Sequence, residues 1–205
     1  LGLVIEAGWV AREDVCRAAS QLLDGCKQAG ICLEMVRACM VFPPEFNDSV
    51  DRYGTKGAAL SHISIGLVRQ LVDQVKSQAD DSPIRITCDK HGGRNRYAAL
   101  LQHHFPETWI ETVAESRAES CYRWDDVEIR FRVGGEAELP AALASMTAKY
   151  LRELCMGAFN SYWLREVPKL KPTAGYPVDA KRFKADIEPA RRRLAIDNRT
   201  LWRNR

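Results

Sequence analysis

Apolar residues recur at helical spacing along most of the chain and alternate with polar ones in one central stretch. A short apolar run, Leu1 to Ile5, has the character of a strand. Glu13 to Ala29 follows the helical period and stops beside Gly30, which suits a helix C-terminus. Ile31 to Phe42, with Ile31, Leu33, Met35 and Val36, reads in part as a strand, and Pro43-Pro44 interrupts it. A segment opening at Phe46-Asn47 and closing at Gly54-Thr55-Lys56 leads into a helix from about Gly57 to Ser77. Leu60, Ile63, Leu67, Leu71 and Val75 are its expected inward face. Asp80-Asp81-Ser82-Pro83 is a loop.

The alternating stretch follows. Ile84, Ile86 and Cys88 mark a strand closed by Asp89, and His91-Gly92-Gly93 is a tight turn. Arg94 to His104 reads as a helix with Tyr97, Leu100 and Leu101 on one side. Trp109 to Val133 holds two or three antiparallel strands, with Asp125-Asp126 at a hairpin turn. The longest helical pattern runs from Glu138 to Trp163. Leu143, Met146, Tyr150 and Leu154 form one apolar row and Ala144, Ala148, Leu151 and Cys155 a second, so this helix is expected to be sandwiched against a sheet. After a Pro/Gly loop from Lys169 to Pro177, Asp179 is placed to cap a last helix reaching Ala195. Interleaved strands and helices predict an α/β fold, a mixed β-sheet flanked by helices, in a single domain over 1–205 with a helical basic tail over about 178–205.

Composition narrows the class. The chain has 205 residues, enough for one domain with a substantial core, and its net charge of +3 permits a polyanionic partner without demanding one. Arg191, Arg192, Arg193, Arg199, Arg203 and Arg205 concentrate positive charge near the C-terminus. Seven cysteines lack the spacing of a zinc knuckle or redox pair and read as buried thiols in a reducing compartment, which makes the cytoplasm the expected location. No apolar run approaches the ~20 residues of a membrane span, so no membrane partner is expected. The first residue is Leu1, and the chain reads as a fragment or processed form.

Three acids stand out for chemistry. Asp89 closes a strand and precedes two glycines, the position where open α/β sheets carry function, although Asp is also a common turn residue. Glu136 and Glu138 stand at the start of the long helix, where the helix dipole favours a carboxylate. Glu153 shares one helix face with Ser145 and Lys149, a stripe that equally fits a solvated Lys149–Glu153 ion pair.

The string Ser145-Met-Thr-Ala-Lys149-Tyr-Leu-Arg-Glu153 resembles the Ser-x-x-Ala-Lys-x-x-Arg-Asp signature of the type 2 ribonucleases H, the HII and HIII families. Glu153 stands where that signature has Asp. The resemblance extends to Asp89 at a strand end, to Glu136 before the Ser145 helix with Glu138 as the alternative, and to Phe46-Asn47 with Gly54, Lys56 and Ala59-Leu60-Ser61. It also extends to Lys171-Pro172-Thr173-Ala174-Gly175-Tyr176. It implies a ribonuclease H-like fold and a metal-dependent endonuclease. The implied activity is hydrolysis of the RNA strand of an RNA–DNA hybrid or of a ribonucleotide-containing duplex. Asp89, Glu136 and Glu153 would then be catalytic carboxylates holding Mg²⁺ or Mn²⁺, hard cations that take oxygen ligands. Lys149, Arg94 and Arg96 would meet phosphates, and Tyr176 would sense the 2′-hydroxyl that separates RNA from DNA.

The family's Asp-Glu-Ala-Gly first strand and its following 2′-hydroxyl-reading element are absent. Either that strand precedes Leu1, the favoured register, or Glu6-Ala7-Gly8 is its remnant with Ile5 in place of the Asp. The absence keeps two rivals open: a related nucleic-acid-binding protein without catalysis, and a structural interaction domain.

Overall fold

A computed structural model describes residues 12–78 and 82–204. The expected strand Leu1–Ile5, the Glu6-Ala7-Gly8 register and the acidic pair of the Asp80-Asp81 loop lie outside the described residues. The chain forms two compact units, one of 12–37 with 151–185 and the other of 38–150 with 186–204.

The larger unit begins with α2, Pro43–Tyr53 (α1 belongs to the other unit). Pro43-Pro44 was expected only to break structure; the pair instead supplies the first turn of this helix, where a missing N–H costs nothing. Glu45 reaches back to accept from the Phe42 N–H at 2.8 Å. Gly54, at φ +80°, ends the helix with its N–H on the Val50 carbonyl. Thr55 Oγ1 then accepts from Ala58 N at 3.1 Å and starts α3, Lys56–Gln78. The buried face of α3 is Ala59, Ser61, Ile65, Val68 and Val72, whereas Leu60 and Val75 of the expected face are exposed. Residues 31–42 form no strand and are mostly exposed, because the run pairs with no neighbouring strand.

The sheet holds β1 (Ile84–Asp89), β2 (Glu111–Glu115), β3 (Glu119–Trp124) and β4 (Val127–Arg132) in the order β1-β4-β3-β2. β1 and β4 are parallel; β2-β3 and β3-β4 are antiparallel, with Asp125-Asp126 turning the last hairpin. The mixed sheet flanked by helices matches the expected class. Alternation in β4 sends Val127, Ile129 and Phe131 into the core and leaves Glu128, Arg130 and Arg132 on the more open face. There Glu128 pairs with Arg123 and Arg130. The core side is filled by Ile65, Val68 and Val72 of α3 and by Leu100, Leu101 and Phe105 at α4, Ala98–His104. α4 starts later than expected: Tyr97 sits just before it and is fully buried.

Two long helices contribute to both units: α5, Leu139–Glu166, and α6, Pro177–Arg193. The first half of α5 is not sandwiched, since Met146 is 65% and Tyr150 61% exposed. Asp179 is no N-cap. It lies inside the first turn of α6, which begins at Pro177. Its carboxylate accepts instead from Thr173 Oγ1 at 2.6 Å and Ala174 N at 2.9 Å, folding the preceding loop back. α7, Asn198–Leu201, had no counterpart in the pattern and is capped by Asp197.

The smaller unit contains α1, Arg12–Gln28, close to its expected span. Its buried side chains include Trp163, Leu170, Thr173 and Phe183, and Asn160 exchanges two hydrogen bonds with the Thr173 backbone. Of the cysteines expected to be buried, only Cys121 is; Cys16, Cys32 and Cys39 are exposed and the other three lie between.

Candidate active site at the end of the parallel strand pair

Asp89 is the last residue of β1, and β4 ends alongside it with Arg132 as its register partner. Immediately after β4, Gly134 turns the backbone through φ +69° into a 3₁₀ turn, Gly135–Ala137. That turn is held against the end of β1, with the Gly135 N–H donating to Asp89 Oδ1 at 3.3 Å. A β-carbon on Gly135 would meet Cys88 O at 3.2 Å and the Asp89 Cα and N at 3.3 Å, a tight fit against backbone that favours a glycine. Glu136 is therefore the next residue after one bonded to Asp89, and both acids are exposed. The alternative acid, Glu138, is committed elsewhere, accepting from Arg132 Nη1 at 2.6 Å.

The loop after β1 is fixed by aromatic and polar anchors. Tyr97 stacks flat on Phe131 with centroids 3.7 Å apart, its hydroxyl accepts from His91 N at 3.0 Å, and its own N–H donates to Tyr122 Oη at 2.8 Å. Tyr122 in turn donates to Glu115 at 2.6 Å. Lys90 Nζ reaches Asn95 Oδ1, Ser116 O and Ser120 Oγ and is spent inside the loop. Arg94 lies over the Tyr97 ring, its guanidinium carbon 5.9 Å from the centroid, and Arg96 is highly exposed, 3.7 Å from Glu115.

His91 sits beside Asp89 with its Nδ1 3.0 Å from Ser61 Oγ. Burial, then Arg94, hold its imidazole below the ordinary range, against the opposing pull of Asp89. Sequence reasoning passed over His91. Its signal was only a His two residues past a strand-ending acid. Ser, His and Asp side by side do not make a nucleophilic triad here. Ser61 is fully buried and donates its proton to the Gly57 carbonyl at 2.8 Å. Cys88 is no nucleophile either, since burial and then Asp89 push its thiol up to about 12.

Of the three predicted carboxylates, Asp89 and Glu136 lie in one unit, the residue before Glu136 being bonded to Asp89. Glu153 belongs to the other unit, where it is exposed and pairs with Arg152. The Lys149–Glu153 pair is not formed, and Lys149 is exposed. Tyr176, also in the other unit, is 67% exposed with the Arg152 guanidinium 5.7 Å from its ring centroid. Much of the arginine-rich C-terminus is internally neutralised. Arg191 and Arg192 bind Glu188, and Arg199 bridges Asp48 and Asp51. No helix among the described residues is long and apolar enough to cross a membrane.

Comparison of the chain with protein-family models, with curated proteins and with solved structures finds no match.

Proposed function

We propose that this protein is a metal-dependent phosphodiester hydrolase of the ribonuclease H type, cutting the RNA strand of RNA–DNA hybrids or of duplexes containing ribonucleotides. The observation that carries this is the pairing of Asp89 with the Gly135–Glu136 turn at the carboxyl ends of two neighbouring parallel strands. Two exposed carboxylates near one sheet end offer the oxygen ligands that Mg²⁺ or Mn²⁺ prefers, with water completing the shell. Bound there, such ions supply an activated water and charge relief for the leaving oxygen. Asp89 and Glu136 would hold the cation. The anchored loop keeps Asp89 in place, and Arg94 offers a positive charge to a phosphate. Glu153, Lys149 and Tyr176 enter through the Ser145–Glu153 motif and the Lys171–Tyr176 loop alone.

The test is cleavage of an end-labelled RNA–DNA hybrid by the full chain with Mg²⁺ or Mn²⁺, against a chelator control. Asp89→Asn and Glu136→Gln are each expected to slow cleavage by at least about 100-fold while circular dichroism stays unchanged. Activity that survives both substitutions, or no cleavage of hybrid or of ribonucleotide-containing duplex with either metal, removes the proposal. Salt-sensitive hybrid binding without turnover would favour the non-catalytic relative instead.

A further inference from the structure

Three of the four histidines meet where α3 and α4 pack together. His62 comes from the second turn of α3; His103 and His104 end α4. His62 Nδ1 lies 3.2 Å from His104 Nε2. The His103 ring meets the His62 ring edge-on with centroids 4.9 Å apart, and that of His104 at 5.1 Å. One ligand-capable nitrogen from each ring lies within 4.8 Å of the other two. The surroundings hold the cluster in place. Tyr53 stacks on His62 at 3.7 Å and 6° between planes, and Arg69 Nη1 donates to the His104 carbonyl at 3.1 Å.

We propose that His62, His103 and His104 form a binding site for a transition-metal dication of the Zn²⁺ class, separate from the carboxylate site. Imidazole nitrogens select Zn²⁺, Ni²⁺, Co²⁺ or Cu²⁺ and not the hard cations that carboxylates hold. Tetrahedral zinc, with Zn–N of about 2.0–2.1 Å, sets neighbouring nitrogens about 3.3 Å apart. The His62–His104 pair already has that spacing, and the exposed His103 side chain can rotate to close the third side.

Electrostatics favour the ligating form. Burial, then His62, His103 and Arg69, push the His104 imidazole down to about 4. Burial, then His103 and Arg94, lower His62. Both shifts run in the direction that leaves an imidazole lone pair available. Arg69 and Arg94 also oppose a dication, but Arg69 is compensated by Asp73 and Glu107. His62 also lines an open cleft of about 420 Å³ together with Asp48, Ser49, Arg52, Tyr53 and Ile63. Three protein nitrogens with water from this cleft in a fourth position match the ligand count of an open zinc site.

The full chain is titrated with Zn²⁺ near neutral pH in competition with a chromophoric chelator, and with Co²⁺ to read ligand type. Spectroscopy matters because seven cysteines compete for the same metals, and thiolate ligation adds near-ultraviolet charge-transfer bands that imidazole lacks. One equivalent should bind with visible cobalt bands and no thiolate bands. His103→Ala, at an exposed position where folding is little affected, should weaken binding by about 100-fold, and His62→Gln should do the same. Asp89→Asn should leave it unchanged, which separates this site from the carboxylate pair. Absence of binding, thiolate bands at the first equivalent, or full affinity in folded His103→Ala overturns the proposal.

Discussion

Asn47 is fully buried in α2 and holds the C-terminal segment with both ends of its amide. Its Nδ2 donates to Arg199 O at 3.3 Å and Trp202 O at 2.9 Å, and its Oδ1 accepts from Asn204 N at 2.7 Å. Asn47→Ala removes all three bonds and leaves two carbonyls and an amide to find water. A neutral hydrogen bond is worth about 1 kcal/mol net, and a stranded buried partner costs about 1–3 kcal/mol. The 3.3 Å bond is weak, and water can reach part of the flanking segment, whose Arg199 and Asn204 are exposed. A loss of about 3 kcal/mol results. Equilibrium unfolding in urea measures it, and hydrogen exchange localises it, with the Asn204 amide exchanging faster. Asn47→Asp keeps the acceptor for Asn204 but turns a carboxylate oxygen toward two carbonyls, so it should be at least as damaging near neutrality. A stability change under about 0.5 kcal/mol in Asn47→Ala, with unchanged exchange at Asn204, would refute the account.

Gly134→Ala and Gly135→Ala should separate backbone strain from site geometry. Gly134 sits at φ +69° in open space, so Ala costs about 1 kcal/mol of stability and leaves cleavage per folded molecule intact. At Gly135 the new methyl displaces the turn from Asp89, so cleavage of hybrid should fall far more than stability does; equal, proportionate losses in both variants would contradict this. Acid stability gives another check. His104 binds its proton only near pH 4 when folded, against an ordinary value of 6.5, so the native state carries fewer protons between those values and stability falls as pH drops through that window. His104→Gln should flatten the slope of the urea midpoint between neutrality and about pH 5, and an unchanged slope would assign the acid sensitivity elsewhere.

The strands were legible because the code is local. Ile84-Ile86-Cys88 and Val127-Ile129-Phe131 alternate cleanly, and Asp125-Asp126 marks the turn. The spans of α1, α3 and α5 were nearly as clear, but α2 and α7 were missed and helix faces were not legible. α3 carries apolar residues around much of its circumference, so only packing selects Ile65, Val68 and Val72 over Leu60 and Val75. Residues 31–42 have strand composition, yet a strand needs a partner, which composition does not supply. Asp179 fits an N-cap by type, but Pro177 already occupies the first helical position and moves the Asp inward. At the site, Asp89 and Glu136 stand at a strand end and a helix start, positions that equally suit a turn or a helix-capping acid, and only the resemblance singled them out. The Gly135 contact that brings them together is a tertiary fact. The histidine cluster left almost no trace, since His62 and His104 are 42 residues apart and meet only when two helices pack.

The outer strand of the sheet sets a limit on assembly. β2 is exposed along its whole length, carries Glu111 and Glu115 at its ends, and slips register between Thr112 and Ala114. A foreign strand laid against it would find an irregular ladder with Glu111 at one end. Lateral growth by strand addition is therefore discouraged on that flank.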